Sequence, residues 1–214
     1  MIRVYVFCEG QTEANFVSSV LAQPVFEYGV ELIPLLFSTS TNFKGGISSY
    51  GKVKNQVTRM CKEHPQEYVT TLIDYYGLPT DFPERSLQHG WQGALVVERE
   101  FQDDVNHANF IANIVVHEFE GLLFSEPLAF ERLFGESVLA EQVASVRDAF
   151  PTPEHINDSR ETAPSKRISG LFSYDKASDG PLLAAEIGLE RICHECKHFG
   201  AWVAKLKNLG GANP

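Results

Sequence analysis

Acidic residues closely follow several hydrophobic segments of this sequence, where they could meet and bind a metal ion. The acids concerned are Glu9, Asp74, Glu118 and Glu120. They follow residues 2–7, 68–73 and 110–116, which are runs of apolar and β-branched residues typical of strands buried on both faces of a parallel sheet. Ligands and catalytic groups of open α/β sheets usually lie at the carboxyl ends of the strands. The sequence therefore predicts one acidic rim at this edge of a sheet.

The chemistry of such a rim is set by repulsion between its carboxylates. Carboxylates that face one another raise one another's pKa unless a cation neutralises them. Mg²⁺ and Mn²⁺ prefer oxygen ligands, so two or three carboxylates suit them, and the bound metal could polarise a phosphodiester and activate water. A single acid after a strand is often only a helix cap or a solvated loop residue. Recurrence at three strand ends favours the metal site.

The acids differ in how well they are placed to reach a shared metal. Glu118 and Glu120 are two residues apart, so their side chains would share a face on a strand but diverge on a helix. We expect only one of them to reach the metal, and we favour Glu120. Glu13 lies one turn into the helix that follows the first strand, and we interpret it as a capping or dipole-stabilising residue.

A basic pair could position a phosphate. Lys166 and Arg167 follow Ser165, which could cap a helix that begins with the pair. Helix N-termini that carry basic side chains bind phosphate groups well, although two solvated cations at a helix start are the alternative. Cys193 and Cys196 resemble only half of a zinc site, and positions in the core are the more common role of such cysteines.

The elements that must position these residues alternate along the chain. Their order, β-α-β-α-β-(α)-β, predicts an α/β fold with a mostly parallel sheet sandwiched by helices. We expect one continuous strand over residues 110–116 and helices over 82–102 and from residue 121. Two prolines at 151 and 153 mark a boundary. We therefore divide the chain into an α/β domain, residues 1–150, and a helical C-terminal subdomain, residues 151–214, packed on it.

Composition restricts the class of protein. The 214 residues are 43% hydrophobic, which is ordinary for a globular domain with a buried core. No apolar run approaches the roughly 20 residues that span a bilayer, and no leader precedes the first strand, so we expect a cytoplasmic protein without a membrane partner. The net charge of −10 counts mildly against a nucleic-acid substrate but does not exclude a nuclease, because metal-binding carboxylates contribute to it.

Three motifs give the sequence a family resemblance. They are Cys8-Glu9-Gly10-Gln11-Thr12-Glu13, Ile73-Asp74-Tyr75-Tyr76-Gly77-Leu78-Pro79 and His117-Glu118-Phe119-Glu120-Gly121-Leu122-Leu123-Phe124. The tail, from Ile156 through the segment that ends in Lys166 and Arg167 to Trp202, fits the same family. Over nearly its full length the sequence resembles a widespread bacterial family of unknown function that is classed as Toprim-like and related to OLD-type nuclease domains.

This resemblance implies a compact parallel α/β fold and a Mg²⁺ site for phosphodiester chemistry. In Toprim domains a glutamate follows the first strand and an Asp-x-Asp follows a later strand. Glu9 matches the glutamate and Asp74 the first aspartate, but Tyr76 stands in place of the second. The resemblance implies that Glu118 or Glu120 replaces the missing ligand, as a later glutamate does in OLD-type enzymes, or that the metal site is degenerate.

Two functions are compatible with the sequence. One is a Mg²⁺- or Mn²⁺-dependent nuclease in which the acidic rim binds the metal, with Lys166 and Arg167 positioning a phosphate. The resemblance implies that it would be the effector of a phage-defence module with an AAA- or ABC-type ATPase partner, because similar proteins are often encoded beside one. The other is a non-catalytic subunit with a degenerate metal site that docks this ATPase. Tyr76 and the net charge favour the second, and a homo-oligomer stays open.

Overall fold

A parallel sheet forms the centre of the molecule in the computed structural model, which describes residues 1–38, 47–85, 90–157 and 161–211. Strand β1 (Ile2–Cys8) lies between β2 (Val30–Leu36) and β3 (Tyr68–Asp74). Two short strands, β4 (Phe110–Ile111) and β5 (Ile114–Val115), both pair with the other side of β3. Every strand pair in the described residues is parallel. The predicted α/β fold with a mostly parallel sheet is confirmed.

Helices cover both faces of this sheet and form the end of the chain. The α-helices are α1 (Gln11–Phe16), α2 (Ala22–Phe26), α3 (Tyr50–Glu63), α4 (Gly90–Val105), α5 (Leu128–Phe134), α6 (Ser137–Asp148), α7 (Pro164–Leu171), α8 (Lys176–Ile187), α9 (Leu189–Glu195) and α10 (Lys197–Leu209). A π-helical segment, Val17–Leu21, joins α1 to α2, and the 3₁₀ segments are Tyr75–Gly77, Phe119–Ser125 and Pro153–His155. No helix in the described ranges combines the length and apolar character that a bilayer crossing requires.

The core consists of two hydrophobic clusters, one on each face of the sheet. Side chains alternate along a strand, so Val4 and Val6 of β1 join one cluster and Phe7 joins the other. The first cluster is closed by residues from α1, α8 and α10, and the second by residues from α3 and α4. Because both faces are buried, the long strands are continuous apolar runs, which is why they are recognisable in the sequence.

The predicted single strand over residues 110–116 is wrong, because the pairing with β3 is interrupted between β4 and β5. At the interruption the Thr71 hydroxyl donates to the Asn113 carbonyl at 2.7 Å and accepts from the Asn113 N–H at 3.1 Å. These bonds replace backbone pairing. Beyond β5, the His117 carbonyl accepts a hydrogen bond from Tyr76 N, which holds the following segment across the end of β3.

Two predicted helices also differ from the observed ones. Helix α4 begins at Gly90 rather than near residue 82, because residues 82–85 form turns and Glu84 has a left-handed φ of 60° that an α-helix cannot contain. Residues 86–89 of the predicted helix lie outside the described part of the chain. The helix expected from residue 121 is instead the 3₁₀ segment that begins at Phe119.

The helices that follow residue 150 pack on the sheet. Residues of α7, α8, α9 and α10 belong to the same hydrophobic cluster as β1, and the Trp202 indole N–H donates to Thr70 Oγ1 at 2.9 Å. The Glu154 carboxylate accepts from the backbone N–H groups of His198 and Phe199, at 3.0 and 2.9 Å, and so caps α10. The division of the chain near residue 150 stays a prediction.

A mostly buried pair of His198 and Glu98 gives the fold a predictable pH dependence. His198 Nε2 lies 3.0 Å from a Glu98 carboxylate oxygen, and both side chains are mostly buried. Burial alone would lower the pKa of His198, but the hydrogen bond and charge of Glu98 outweigh it and raise this pKa above its usual value. The pair therefore stabilises the fold fully below the unfolded pKa of about 6.5, and this contribution is lost as the pH rises through the folded pKa.

We expect His198→Gln to lower the free energy of unfolding by about 2 kcal/mol at about pH 6 and by less at about pH 9. Urea denaturation of the variant and the wild type at both pH values measures this difference. His194→Gln is the matched control, since His194 is mostly exposed at the protein surface. An equal loss at both pH values for His198→Gln would contradict a stabilising charge on His198.

Candidate functional site

Four acidic residues converge at the carboxyl edge of the sheet. Glu9 directly follows β1, Asp74 ends β3, Glu120 lies in the 3₁₀ segment beyond β5, and Glu13 lies in the first turn of α1. Glu13, Asp74 and Glu120 are all buried, with exposed fractions of 3%, 4% and 0%. We refer to these four residues as the acidic cluster. Among the predicted acids, the fold brings Glu9, Asp74 and Glu120 together.

Three carboxylates of the cluster use one oxygen each to bind the surrounding protein. Asp74 Oδ1 accepts from the Phe119 N–H at 2.8 Å, and Glu13 Oε2 accepts from the Gly10 N–H at 2.9 Å. The Tyr174 hydroxyl donates to Glu120 Oε1 at 3.3 Å. These bonds fix the orientation of each carboxylate. The second oxygen of each is left for another partner.

That partner is the ammonium group of Lys176, the first residue of α8. Lys176 Nζ lies 3.2 Å from Glu120 Oε2, 3.5 Å from Asp74 Oδ2 and 4.0 Å from Glu13 Oε1. Among the residues that the structure describes, Lys176 is the one basic side chain that forms ion pairs with the cluster. Three carboxylates from separate segments therefore direct their free oxygens at a single point, which a lysine nitrogen occupies.

The cluster contains more acidic groups than Lys176 can neutralise if all of them are ionised. Burial, followed by the charge of Glu13, raises the pKa of Glu9 to about 7. Burial also raises the pKa of Asp74 and of Glu120, although Lys176 opposes the rise in both. Burial would lower the pKa of Lys176, but the neighbouring carboxylates outweigh it and raise this pKa. Lys176 is therefore charged, whereas desolvation and mutual repulsion disfavour the ionised forms of its acidic neighbours.

Glu9 completes the cluster by lying against a glycine. Its Oε2 accepts from the Asp74 N–H at 3.2 Å. A Cβ added to Gly77 would lie 2.5 Å from both carboxylate oxygens of Glu9, which is closer than real Cβ contacts allow. Only a residue without a side chain at position 77 leaves room for the carboxylate in this position.

The remaining predicted site residues lie on the first turn of α7 or contact it. Glu118 Oε2 accepts from the Ser165 N–H at 2.9 Å, so this carboxylate binds the first turn of α7. Lys166 is exposed on the same turn. The Arg167 guanidinium donates to the Thr162 carbonyl at 2.7 Å and lies over the Phe150 ring, 5.1 Å from its centroid. None of these three side chains has an ion pair with the acidic cluster among the described contacts.

Sequence reasoning did not find Lys176, Tyr174 or the full role of Glu13. Glu13 does cap the start of α1 through Gly10, as interpreted, but its other oxygen also faces Lys176. One signal for Lys176 was present, because Asp175 is the N-cap of α8 and accepts from the N–H groups of Ala177 and Ser178. A lysine in the first turn opposes the helix dipole, so its presence there calls for a nearby negative partner.

The donors of the cluster suit a hard divalent cation, but their present spacing does not form a metal site. Carboxylate oxygens are the ligands that Mg²⁺ and Mn²⁺ prefer. In the described ranges, however, no group of three or more His, Cys, Asp or Glu side chains is spaced to hold a metal ion. A cation could bind at the shared point if Lys176 turned away. The side chain has room to move toward solvent, because 43% of it is exposed.

Fold and site together define an α/β protein with a buried acidic cluster at the carboxyl edge of a parallel sheet. The chain belongs to the family described as "Domain of unknown function (DUF4276)", whose model matches residues 8–207. None of the curated proteins matches the chain. The family membership confirms that the resemblance seen in the sequence is to a family of unknown function.

Solved structures with a similar backbone arrangement come from Xanthomonas campestris pv. campestris. They are structures of the C-terminal region of its OLD protein, phased with iodine, mercury and platinum. Each is 16% identical to this chain and covers 98% of it, with 96%, 97% and 94% of the other chain covered. The TM-scores are 0.45, 0.45 and 0.46. At this level of similarity, nothing about activity transfers to this chain.

Proposed function

We propose that the protein is a Mg²⁺- or Mn²⁺-dependent phosphodiesterase that cleaves nucleic acid. The observation that supports this function is the convergence of three carboxylate oxygens, each paired with Lys176, on one point at the carboxyl edge of the sheet. Four acids around one lysine keep an excess of negative charge whenever they are ionised. Such an excess is costly in a buried site unless a carboxyl group takes up a proton or a further cation binds there. Divalent cations with oxygen ligands fit that requirement.

Glu9, Asp74 and Glu120 would hold the metal, and Glu13 would support it by charge. The bound metal would polarise a phosphodiester and lower the pKa of attacking water. Lys176 would have to leave the shared point, and it would then remain at the rim as a cation that can hold a phosphate oxygen. Tyr174 would keep Glu120 in its orientation, as hydrogen-bond partners of metal-binding carboxylates commonly do.

Lys166 is the residue of the basic pair that we propose as a phosphate contact. It is exposed on the first turn of α7, and that turn is tied to Glu118, two residues from Glu120 in the chain. The Arg167 guanidinium binds the Thr162 carbonyl, so its contribution to phosphate binding would come from its charge near the start of α7. Glu118 would orient this turn rather than bind the metal.

Cleavage assays with carboxamide variants test this function. Plasmid DNA, single-stranded DNA and tRNA are incubated with the wild type and with Glu9→Gln, Asp74→Asn and Glu120→Gln, with Mg²⁺ or Mn²⁺ and with EDTA. We expect metal-dependent cleavage by the wild type and a loss of about 100-fold or more in each variant, because the metal supplies several kcal/mol of transition-state stabilisation. Glu141→Gln, at an exposed position of α6, is the control that should cleave normally.

Calorimetric titration of Mn²⁺ into the same proteins separates metal binding from catalysis. Binding should be present in the wild type and in Glu141→Gln and weakened in the cluster variants. Wild-type protein that neither binds Mn²⁺ nor cleaves any of the three substrates would refute the nuclease.

The position of Lys176 favours one alternative, a non-catalytic binding subunit. In that case the Lys176 ammonium is the permanent counter-ion of the cluster, and the site is degenerate, which agrees with Tyr76 in place of a second aspartate. The proposed AAA- or ABC-type ATPase partner in a phage-defence module belongs to both alternatives. Co-purification with a candidate AAA- or ABC-type ATPase, followed by cleavage assays with ATP, distinguishes them. A stable complex that stays inactive with every metal would support the binding subunit.

A further inference from the structure

Two pairs of aromatic rings follow the acidic cluster, and Tyr76, Trp91 and His155 are half-buried whereas His117 is buried. Tyr76 lies two residues after Asp74, and its ring is 5.3 Å from that of His117, which precedes Glu118. The Trp91 ring is nearly parallel to that of His155, with centroids 5.5 Å apart and an interplanar angle of 9°. The segment that carries His155 is tied to His117, because Asn157 Nδ2 lies 3.4 Å from His117 Nδ1. We call these four residues the aromatic wall.

Hydrogen bonds hold the rings of the wall in place, and two of the rings adjoin segments that build the acidic cluster. Tyr76 N donates to the His117 carbonyl at 3.0 Å, and a Cβ added to the next residue, Gly77, would lie 2.5 Å from the Glu9 carboxylate oxygens. His155 Nδ1 lies 2.7 Å from Thr152 Oγ1, which fixes the plane of its ring and thereby that of the ring stacked on it. The rings therefore have defined orientations, and Tyr76 and His117 lie in the segments that adjoin the carboxylates.

We propose that the aromatic wall stacks an unpaired base of the nucleic acid, so that the substrate is a single-stranded segment. This inference rests on the proposed nuclease function and names its substrate class. Flat aromatic side chains bind unpaired bases by stacking, whereas the bases of a duplex are already stacked and paired. The neighbouring Arg85 guanidinium, 4.1 Å from the Tyr75 ring centroid, adds a positive charge beside Tyr76.

The charge of the chain supports stacking over backbone attraction. The sequence has 18 Lys and Arg against 28 Asp and Glu, and its net charge is −10. Proteins that track a duplex backbone rely on many basic contacts to phosphates. A chain with this balance needs another source of affinity, and stacking on aromatic rings does not depend on net charge.

Two tryptophans of different exposure make the proposal measurable. The protein contains Trp91 in the wall and Trp202 in the core, where 2% of it is exposed. The probes are a 12-nucleotide oligo-dT strand and a hairpin duplex of the same length, added with Ca²⁺ in place of Mg²⁺. We expect the single strand to quench the Trp91 fluorescence in a saturable way and the hairpin to leave it unchanged. Trp91→Phe should abolish this quenching while the Trp202 signal remains.

Matched variants of Tyr76 separate stacking from packing. Tyr76→Phe keeps the ring and should retain affinity for the single strand, whereas Tyr76→Leu keeps apolar volume without a flat face and should weaken binding about tenfold. The slope of log affinity against log salt should be shallower than about −2, since few phosphates are contacted. Equal affinity for strand and hairpin, no saturable quenching, or unchanged binding by Tyr76→Leu would overturn the proposal.

The outcome is separable from that of the nuclease itself. Stacking of the strand without cleavage in Mg²⁺ would support the wall and count against the phosphodiesterase. Cleavage that depends on Glu9 and Asp74, but is the same in Tyr76→Leu as in the wild type for single-stranded substrates, would support the phosphodiesterase and overturn the wall.

Discussion

Replacement of Lys176 by methionine is expected to lower the free energy of unfolding by about 2 kcal/mol in the absence of divalent metal. The variant leaves Glu13, Asp74 and Glu120 buried around a point without a cation. Removal of one partner from a buried ion pair commonly costs more, about 3–5 kcal/mol, but the Lys176 side chain is 43% exposed, so solvent screens part of the loss. Urea denaturation in EDTA measures the change.

Addition of Mg²⁺ or Mn²⁺ should reverse this loss if the cluster is a metal site. A ligand that binds only the folded state stabilises it by mass action, so the midpoint of unfolding should rise with metal concentration. The rise should be larger in Lys176→Met than in the wild type, because the metal no longer competes with the ammonium group. Metal that stabilises neither protein would favour Lys176 as a permanent counter-ion and the binding-subunit alternative.

Two controls make the Lys176 result specific. Lys176→Arg keeps the charge and should remain close to the wild type in stability. Lys62→Met removes a charge from the exposed surface of α3 and should change the free energy of unfolding by less than about 0.5 kcal/mol, with no response to metal. A Lys62→Met protein that responded to metal as Lys176→Met does would locate the effect outside the acidic cluster.

Replacement of Gly77 by alanine should reduce cleavage about 100-fold while the fold is kept. The new Cβ would lie 2.5 Å from both carboxylate oxygens of Glu9. The end of the glutamate side chain can swing away from it, so the backbone is not disturbed, but Glu9 loses its place in the cluster. Displacement of a catalytic group by about 1 Å is enough for a loss of this size. Single-turnover cleavage and the urea midpoint are measured in parallel.

The matched control and a double variant test the cause. Gly51 lies in α3 with nothing within 4 Å of an added Cβ, so Gly51→Ala should cleave normally and gain up to about 1 kcal/mol of stability. If Gly77→Ala acts through Glu9, its effect and that of Glu9→Gln should not add in the double variant. Additive losses would show that Gly77 acts on the site by another route.

Local patterns in the sequence predicted the elements that carry the site. The runs that became β1 and β3 are buried on both faces, so hydrophobic character alone marks them and the acids that follow them. The strand over residues 110–116 was less accessible to such reasoning. Its interruption depends on the Thr71 hydroxyl, 42 residues away from Asn113 along the chain.

The roles of individual acids within the site were decided by contacts that no local pattern contains. Glu118 and Glu120 have the same chemistry and nearly the same position. Glu118 accepts a hydrogen bond from the Ser165 N–H, whereas Glu120 accepts from the Tyr174 hydroxyl and the Lys176 ammonium group. Side-chain direction predicted only that one of the two would reach the site, and neither the choice of Glu120 nor its partners could be derived from the local pattern.

By itself, then, the sequence determined a parallel α/β fold with carboxylates at the carboxyl edge of its sheet, because strand burial and side-chain alternation are local properties of the chain. Only the tertiary structure decided that a lysine shares this edge. Lys176 is 56 residues from Glu120, and its position results from the packing of α8 against α1 and the 3₁₀ segment beyond β5. Charge balance in a buried site depends on distances in space, and these are fixed only when distant segments pack together.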